Sequence, residues 1–236
     1  LRQDIIRGVD FIVLRELTGG IYFGRPRGRS EDGLTAYDTC IYHRHEVERI
    51  VKMGFSLAIT RRKKLTVVDK ANVLATSRLW REVAQETSRL YPSVETEYMF
   101  VDNAAMQIIT NPGRFDVIVT ENMFGDILSD EASVITGSLG LLPSASTGVH
   151  TPVFEPIHGS YPQAAGKNIA NPLGTILSVS LMFRYAFKME EEADMVWKAA
   201  VESLSRGIVT EDISRDNSSS TSRVGDFVAG YIRDEV

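Results

Sequence analysis

The sequence predicts an α/β fold with a mostly parallel sheet, and three observations predict it. Short apolar, β-branched runs recur at 9–14, 65–68, 94–101 and 115–120, each the length of a strand. Between them, Val47, Ile50, Val51, Gly54, Phe55, Ala58 and Ile59 repeat at helical spacing, and Leu79, Val83, Glu86 and Leu90 do so less cleanly. Such alternation favours parallel strands joined by helices. Finally, 236 residues at 43% hydrophobic suffice for one substantial core or two modest ones.

Taken in order, the elements begin abruptly. The chain opens at Leu1 with no initiator methionine, and the apolar run Phe11 to Leu14 follows within ten residues. It is therefore expected to start in mid-fold, with its N-terminal part missing. The strand at 94–101 fits either orientation at a sheet edge, and a helix is expected from about Asn122. Residues 143–172, rich in Gly, Pro and Ser and without periodicity, read as a long loop or loop pair, a feature that is usually functional. Helices are expected at 173–185, 190–204 and 222–236, the last preceded by a turn and N-cap in the run Ser218 to Ser220.

Composition narrows the function. A net charge of −5 with both signs scattered gives no basic stripe, which argues against nucleic acid. No apolar stretch reaches the roughly 18 residues of a membrane span; 175–183 is broken by Ser178 and Ser180. Cys40 is the only cysteine, so no intrachain disulfide can form, which suits a cytoplasmic protein.

Chemistry concentrates in four places. Asp126 and Asp130 lie four apart, so a helix from Asn122 projects both from one face, where a hard cation such as Mg²⁺ or Mn²⁺ would relieve their repulsion. Two solvated carboxylates near a helix start read equally well. In Val67-Val-Asp-Lys-Ala-Asn72 a strand ends by delivering Asp69, Lys70 and Asn72 to the sheet edge, where open α/β sheets bind ligands. Lys70 is a candidate base there, or an ordinary surface lysine; Asp102 follows its strand with the same ambiguity. Arg15 offers a planar fork for a carboxylate and Tyr22 a donating hydroxyl, with Gly19 and Gly20 turning the chain between them. In Glu155-Pro-Ile-His158-Gly-Ser-Tyr-Pro-Gln163, with Gly166 and Asn171, small residues let backbone approach a nucleotide and His158 can stack on or bond to a base, although a structural loop has the same spacing.

The segments Arg-Glu-Leu-Thr-Gly-Gly-Ile-Tyr-Phe-Gly at 15–24, Val-Asp-Lys-Ala-Asn-Val-Leu at 68–74 and Asn-Met-Phe-Gly-Asp-Ile-Leu-Ser-Asp at 122–130 resemble the β-decarboxylating dehydrogenases. So do Gly-Ser-Leu-Gly-Leu-Leu-Pro-Ser-Ala at 137–145, Phe-Glu-Pro-Ile-His-Gly-Ser at 154–160 and Asn-Ile-Ala-Asn-Pro at 168–172. The likeness runs from end to end, and Leu17 to Phe23 is the isopropylmalate version of its segment. The resemblance implies an N-terminally truncated, two-domain isopropylmalate dehydrogenase-like fold. It implies oxidative decarboxylation of 3-isopropylmalate to 4-methyl-2-oxopentanoate with NAD, in leucine biosynthesis, by a homodimer with shared active sites. Arg15 would bind the substrate carboxylate; Asp126 and Asp130, with Asp102 from the partner subunit, would hold Mg²⁺ or Mn²⁺ against the substrate. Lys70, also given across the dimer, would be the base and Tyr22 the proton donor. His158, Gly159, Ser160, Gln163 and Asn171 would line the NAD site.

Two departures matter. Gln163 is neutral where NAD-using relatives commonly carry an acid, which bears on selectivity over NADP. The front that would supply the first strands of the nucleotide domain, two further substrate arginines and the side-chain pocket is not in the sequence. Residues 1–136 are then expected to form the second domain, for dimerisation, metal and substrate, and 137–236 the C-terminal portion of the nucleotide-binding domain. The other readings are a sister enzyme acting on tartrate or another alkylmalate, and an inactive metal- or nucleotide-binding fragment.

Overall fold

The computed structural model describes residues 2–235; Leu1, where the sequence reading opens the chain, and Val236, where it ends the last helix, lie outside the described residues. The chain divides into two compact units, Leu1–Ile135 and Thr136–Val236.

The first unit runs α1 (Gln3–Ile6), β1 (Ile12–Arg15), β2 (Gly28–Arg29), β3 (Ala36–Tyr37), α2 (Arg44–Ile59), β4 (Lys64–Asp69), α3 (Ala75–Ser88), β5 (Glu95–Phe100), α4 (Val101–Thr110), β6 (Val117–Thr120) and α5 (Asn122–Thr136). Its sheet has the order β1-β6-β4-β5, and every pairing is parallel. Within the 94–101 run, Glu95–Phe100 is thus a parallel edge strand, and Val101 already belongs to α4. Strands β4 and β6 are buried throughout apart from Lys64, as befits parallel strands covered on both faces.

Alternation along those strands sorts the two cores. Leu65, Val67, Val117 and Val119 point to a core with Val47, Val51, Phe55, Trp80 and Val83 from α2 and α3. Val68 and Ile118 point to the opposite core, with Met99 of β5, Ala104 and Ile108 of α4, and Leu128 of α5. The unit is therefore a sheet between two helical layers. Gly54 lets α2 lie close to it, since a Cβ there would come within 3.1 Å of Leu65 Cδ1.

In the second unit, residues 143–172 are not only loop. An antiparallel pair, β7 (Pro143–Ser146) with β8 (Val153–Pro156), lies inside the stretch. Its backbone ladder holds a strand of Pro, Ser and Ala whose side chains give no strand signal. Then come α6 (Leu173–Met182), continued by a π-helical turn at Phe183–Phe187, α7 (Glu190–Ser205) and α8 (Thr221–Glu235). Leu173, Leu177, Ala199, Ala200, Val224 and Val228 form their core. Ser220 caps α8 as expected: its hydroxyl accepts from the Arg223 N–H at 3.3 Å. Among the described residues no helix is long and apolar enough to cross a membrane.

Candidate active site

The C-terminal ends of the parallel strands carry the site. β1 ends on Arg15, in register with Thr120 of β6, so the guanidinium reaches the first turn of α5 just beyond. Arg15 Nε and Nη2 donate to Asn122 Oδ1 at 3.1 and 2.9 Å, and Nη1 donates to Asp126 Oδ1. The other oxygen of Asp126 accepts from the Tyr22 hydroxyl at 2.7 Å, and the guanidinium lies 5.5 Å from the Tyr22 ring centroid. That hydrogen bond, with a smaller contribution from burial, holds the Tyr22 phenol pKa above its ordinary value and keeps the proton on oxygen. Gly125 makes the approach possible: a Cβ there would sit 2.6 Å from Arg15 Cγ.

Residues that sequence reasoning missed hold this cluster in place. Glu16, 1% exposed, accepts from the N–H groups of Thr18 and Gly19 and from Arg49 Nη2, fixing the start of the Gly-Gly turn. Buried Glu121 caps α5, one oxygen accepting from Phe124 N–H at 2.8 Å and the other from the Tyr42 hydroxyl at 3.0 Å. Tyr42 also accepts from Asn122 N–H, and burial pushes its phenol far above the ordinary range. Its ring lies so close to the turn that a Cβ on Gly20 would be 2.4 Å from the hydroxyl; Gly20 also has φ +81°. Asn122 Nδ2 donates to the Gly19 carbonyl, joining turn to helix. The only sequence signal was the doubled glycine, since the bonds that join Tyr42 to Glu121 and Arg15 to Asn122 span 79 and 107 residues.

A second pair stands at the ends of β4 and β5. Lys70 Nζ donates to Asp102 Oδ1, and their side chains are 27% and 62% exposed. The ammonium holds the Asp102 carboxyl below its ordinary range. Asp69, grouped with Lys70 by sequence, is instead buried and clamped by Arg81 through two bonds of 2.8 and 2.9 Å. Asp130 lies exposed one turn beyond Asp126. Arg15, Tyr22 and Asp126 are thus brought together, and so are Lys70 and Asp102, but no hydrogen bond or ion pair joins the two sets. Among the described residues of this single chain no three His, Cys, Asp or Glu side chains gather as a metal-holding group.

In the second unit, His158 Nδ1 lies 2.9 Å from the Gly159 carbonyl oxygen, and Ser160 and Gln163 are exposed around the turn Pro162–Ala164. Nothing in the chain lies within 4 Å of a Cβ built on Gly159, so an open surface and not internal packing is what its small size leaves free. Asn171 Oδ1 accepts from Leu173 N–H at 2.9 Å at the start of α6.

Similarity to known proteins says which family carries this fold and these side chains. The sequence profile described as isocitrate/isopropylmalate dehydrogenase matches residues 1–228, and the chain belongs to that family. It is 57% identical over 235 residues to a 3-isopropylmalate dehydrogenase of Bacteroides fragilis, covering 99% of this chain and 65% of the relative. It is 56% identical over 217 residues to one from Geobacillus kaustophilus, covering 91% and 58%. An isocitrate dehydrogenase structure from Methylococcus capsulatus superposes with a TM-score of 0.91 at 35% identity, over 95% of this chain and 68% of that one. The chain spans about 65% of the length of its Bacteroides relative.

Proposed function

We propose that this chain is the metal-holding and proton-handling portion of a cytoplasmic, NAD-linked 3-isopropylmalate dehydrogenase of leucine biosynthesis, working as a homodimer with shared sites. The observation that carries the reading is the convergence of Arg15 and the Tyr22 hydroxyl on Asp126, one turn before Asp130. Relatives 51–57% identical bear that enzyme's name, whereas the superposable isocitrate dehydrogenase is 35% identical. The first unit then corresponds to the dimerisation, metal and substrate domain, and the second to the C-terminal portion of the nucleotide domain.

The donor set fits the implied cation. Asp126 and Asp130 offer only oxygen, the preference of Mg²⁺ and Mn²⁺, and Asp102 of the partner subunit would complete three carboxylates. When bound, such a cation lowers the pKa of the substrate hydroxyl and neutralises the charge that develops as carbon dioxide leaves. The open backbone at Gly159 likewise fits a dinucleotide. Arg15 binds the malate carboxylate with two parallel donors. Lys70 would take the hydroxyl proton, with bound NAD⁺ supplying the hydride acceptor; as base it would act as a free amine, released from its pairing with Asp102. After decarboxylation Tyr22 would deliver its phenolic proton to carbon 3. The test is NAD⁺ reduction by the protein at its relatives' full length, with Mn²⁺ and 3-isopropylmalate, isocitrate or tartrate in turn. Turnover on 3-isopropylmalate is expected; turnover only on another acid, or dinucleotide binding without turnover, would replace this reading.

A further inference from the structure

We propose that Asp212 is a positioning residue for the dinucleotide site, acting through the side-chain amide of Asn171; this rests on the reading of Asn171 as a nucleotide contact. The case starts from three chain positions. Asp212 Oδ2 accepts from Asn171 Nδ2 at 3.0 Å and from the Ser138 hydroxyl, while Oδ1 accepts from the Thr210 hydroxyl at 2.5 Å. One carboxylate thereby gathers the turn after α5, a residue two before α6 and the segment after α7.

What this does to Asn171 follows from its donor and acceptor inventory. The oxygen is committed to Leu173 N–H and one amide hydrogen to Asp212. The amide therefore has one orientation, and it presents its second hydrogen as a directed donor suited to an unprotonated nitrogen or a hydroxyl of a nucleotide. A flip would set the oxygen against the carboxylate and the NH₂ against an N–H, losing both bonds. Gly140 packs closely against the base of this side chain, since a Cβ there would lie 2.8 Å from Asn171 Cβ, and the N–H of Gly140 is itself held by Ser138 at 3.1 Å. Partial desolvation works against the Asp212 charge, but the bonds from Ser138, Thr210 and Asn171 outweigh it and hold the carboxyl below its ordinary range.

The experiment is a double-mutant cycle in the full-length protein with Asp212→Asn and Asn171→Ala, read as KM for NAD⁺, KM for 3-isopropylmalate and kcat. Asp212→Asn is expected to raise KM for NAD⁺ about tenfold, with the other two constants unchanged. In the Asn171→Ala background the same change is expected to add nothing, because the residue it acts through is gone. Additive effects, or a loss of thermal stability with no KM shift, overturn the proposal. Should Asp212→Asn not fold, Thr210→Val removes one of the carboxylate's donors without touching Asn171; a rise of about two- to threefold in KM for NAD⁺ supports the assignment and no rise overturns it. Failure of the underlying reading is separately visible, as an Asn171→Ala protein whose KM for NAD⁺ equals that of wild type.

Discussion

The two ends of the parallel sheet carry the same kinds of charge and treat them differently. At the N-terminal end, Asp116 is 1% exposed and fully engaged, accepting from Arg61 Nε at 2.8 Å, from Arg62 N–H at 2.9 Å and from Lys64 N–H at 3.3 Å. At the C-terminal end, Asp126 and Asp102 are 42% and 62% exposed and bonded only by side chains that the proposed chemistry needs elsewhere. A carboxylate locked by main-chain donors holds the fold; one held by a mobile cation is available to trade partners. The buried acids Glu16, Asp69 and Glu121 bring the first behaviour to the second end, where they fix the frame around the exposed groups.

Substitutions that break this contrast should separate activity from stability. The largest effect is expected from Lys70→Met, which should lower kcat of the full-length enzyme roughly 10³-fold or more while leaving its melting temperature near wild type, checked by steady-state assay and calorimetry. Asp116→Ala should do the reverse: it strands Arg61 and two backbone donors, costing about 3–5 kcal/mol by denaturant unfolding with kcat retained in the folded protein. Tyr22→Phe should lower kcat by roughly 10²-fold, with the decarboxylation and protonation half of the reaction affected more than hydride transfer, as single-turnover NADH formation would show. The smallest effect belongs to Asp102→Asn on stability: Asp102 is itself exposed and its partner is one lysine, so the unfolding midpoint should stay near wild type at any ionic strength. If Asp102→Asn destabilises as Asp116→Ala does, the distinction between the two ends is lost.

The same contrast explains what was legible in the sequence. Strands β1, β4, β5 and β6 and helices α2, α3 and α5 announce themselves because burial on the sheet imposes period 2 or 3.6 on the residues. Helix α4 does not, since β5 ends at Phe100 and the helix starts at Val101 with no loop residue between them. The ladder of β7 and β8 is invisible because backbone pairing leaves no trace in Pro143 to Ser146. Among the candidate site residues, Asp126, Asp130, Lys70 and Arg15 stood out by spacing and position at strand ends, each beside an ordinary surface reading of the same residues. The frame of Glu16, Tyr42, Glu121 and Asn122 did not, nor did Asp212, because bonds such as Arg49 to Glu16, Tyr42 to Glu121 and Asn171 to Asp212 are set by tertiary contacts.

The central claim is that the groups at the ends of β1 and α5 in one copy work with those at the ends of β4 and β5 in another. Full-length Lys70→Met and Asp126→Asn proteins, each inactive alone, can be unfolded together and refolded as mixed dimers. Shared sites predict recovery of up to about a quarter of wild-type activity, because each mixed pair regains one site with intact Asp126 and Lys70. Mixed dimers shown to form, yet with no activity above either parent, would contradict it.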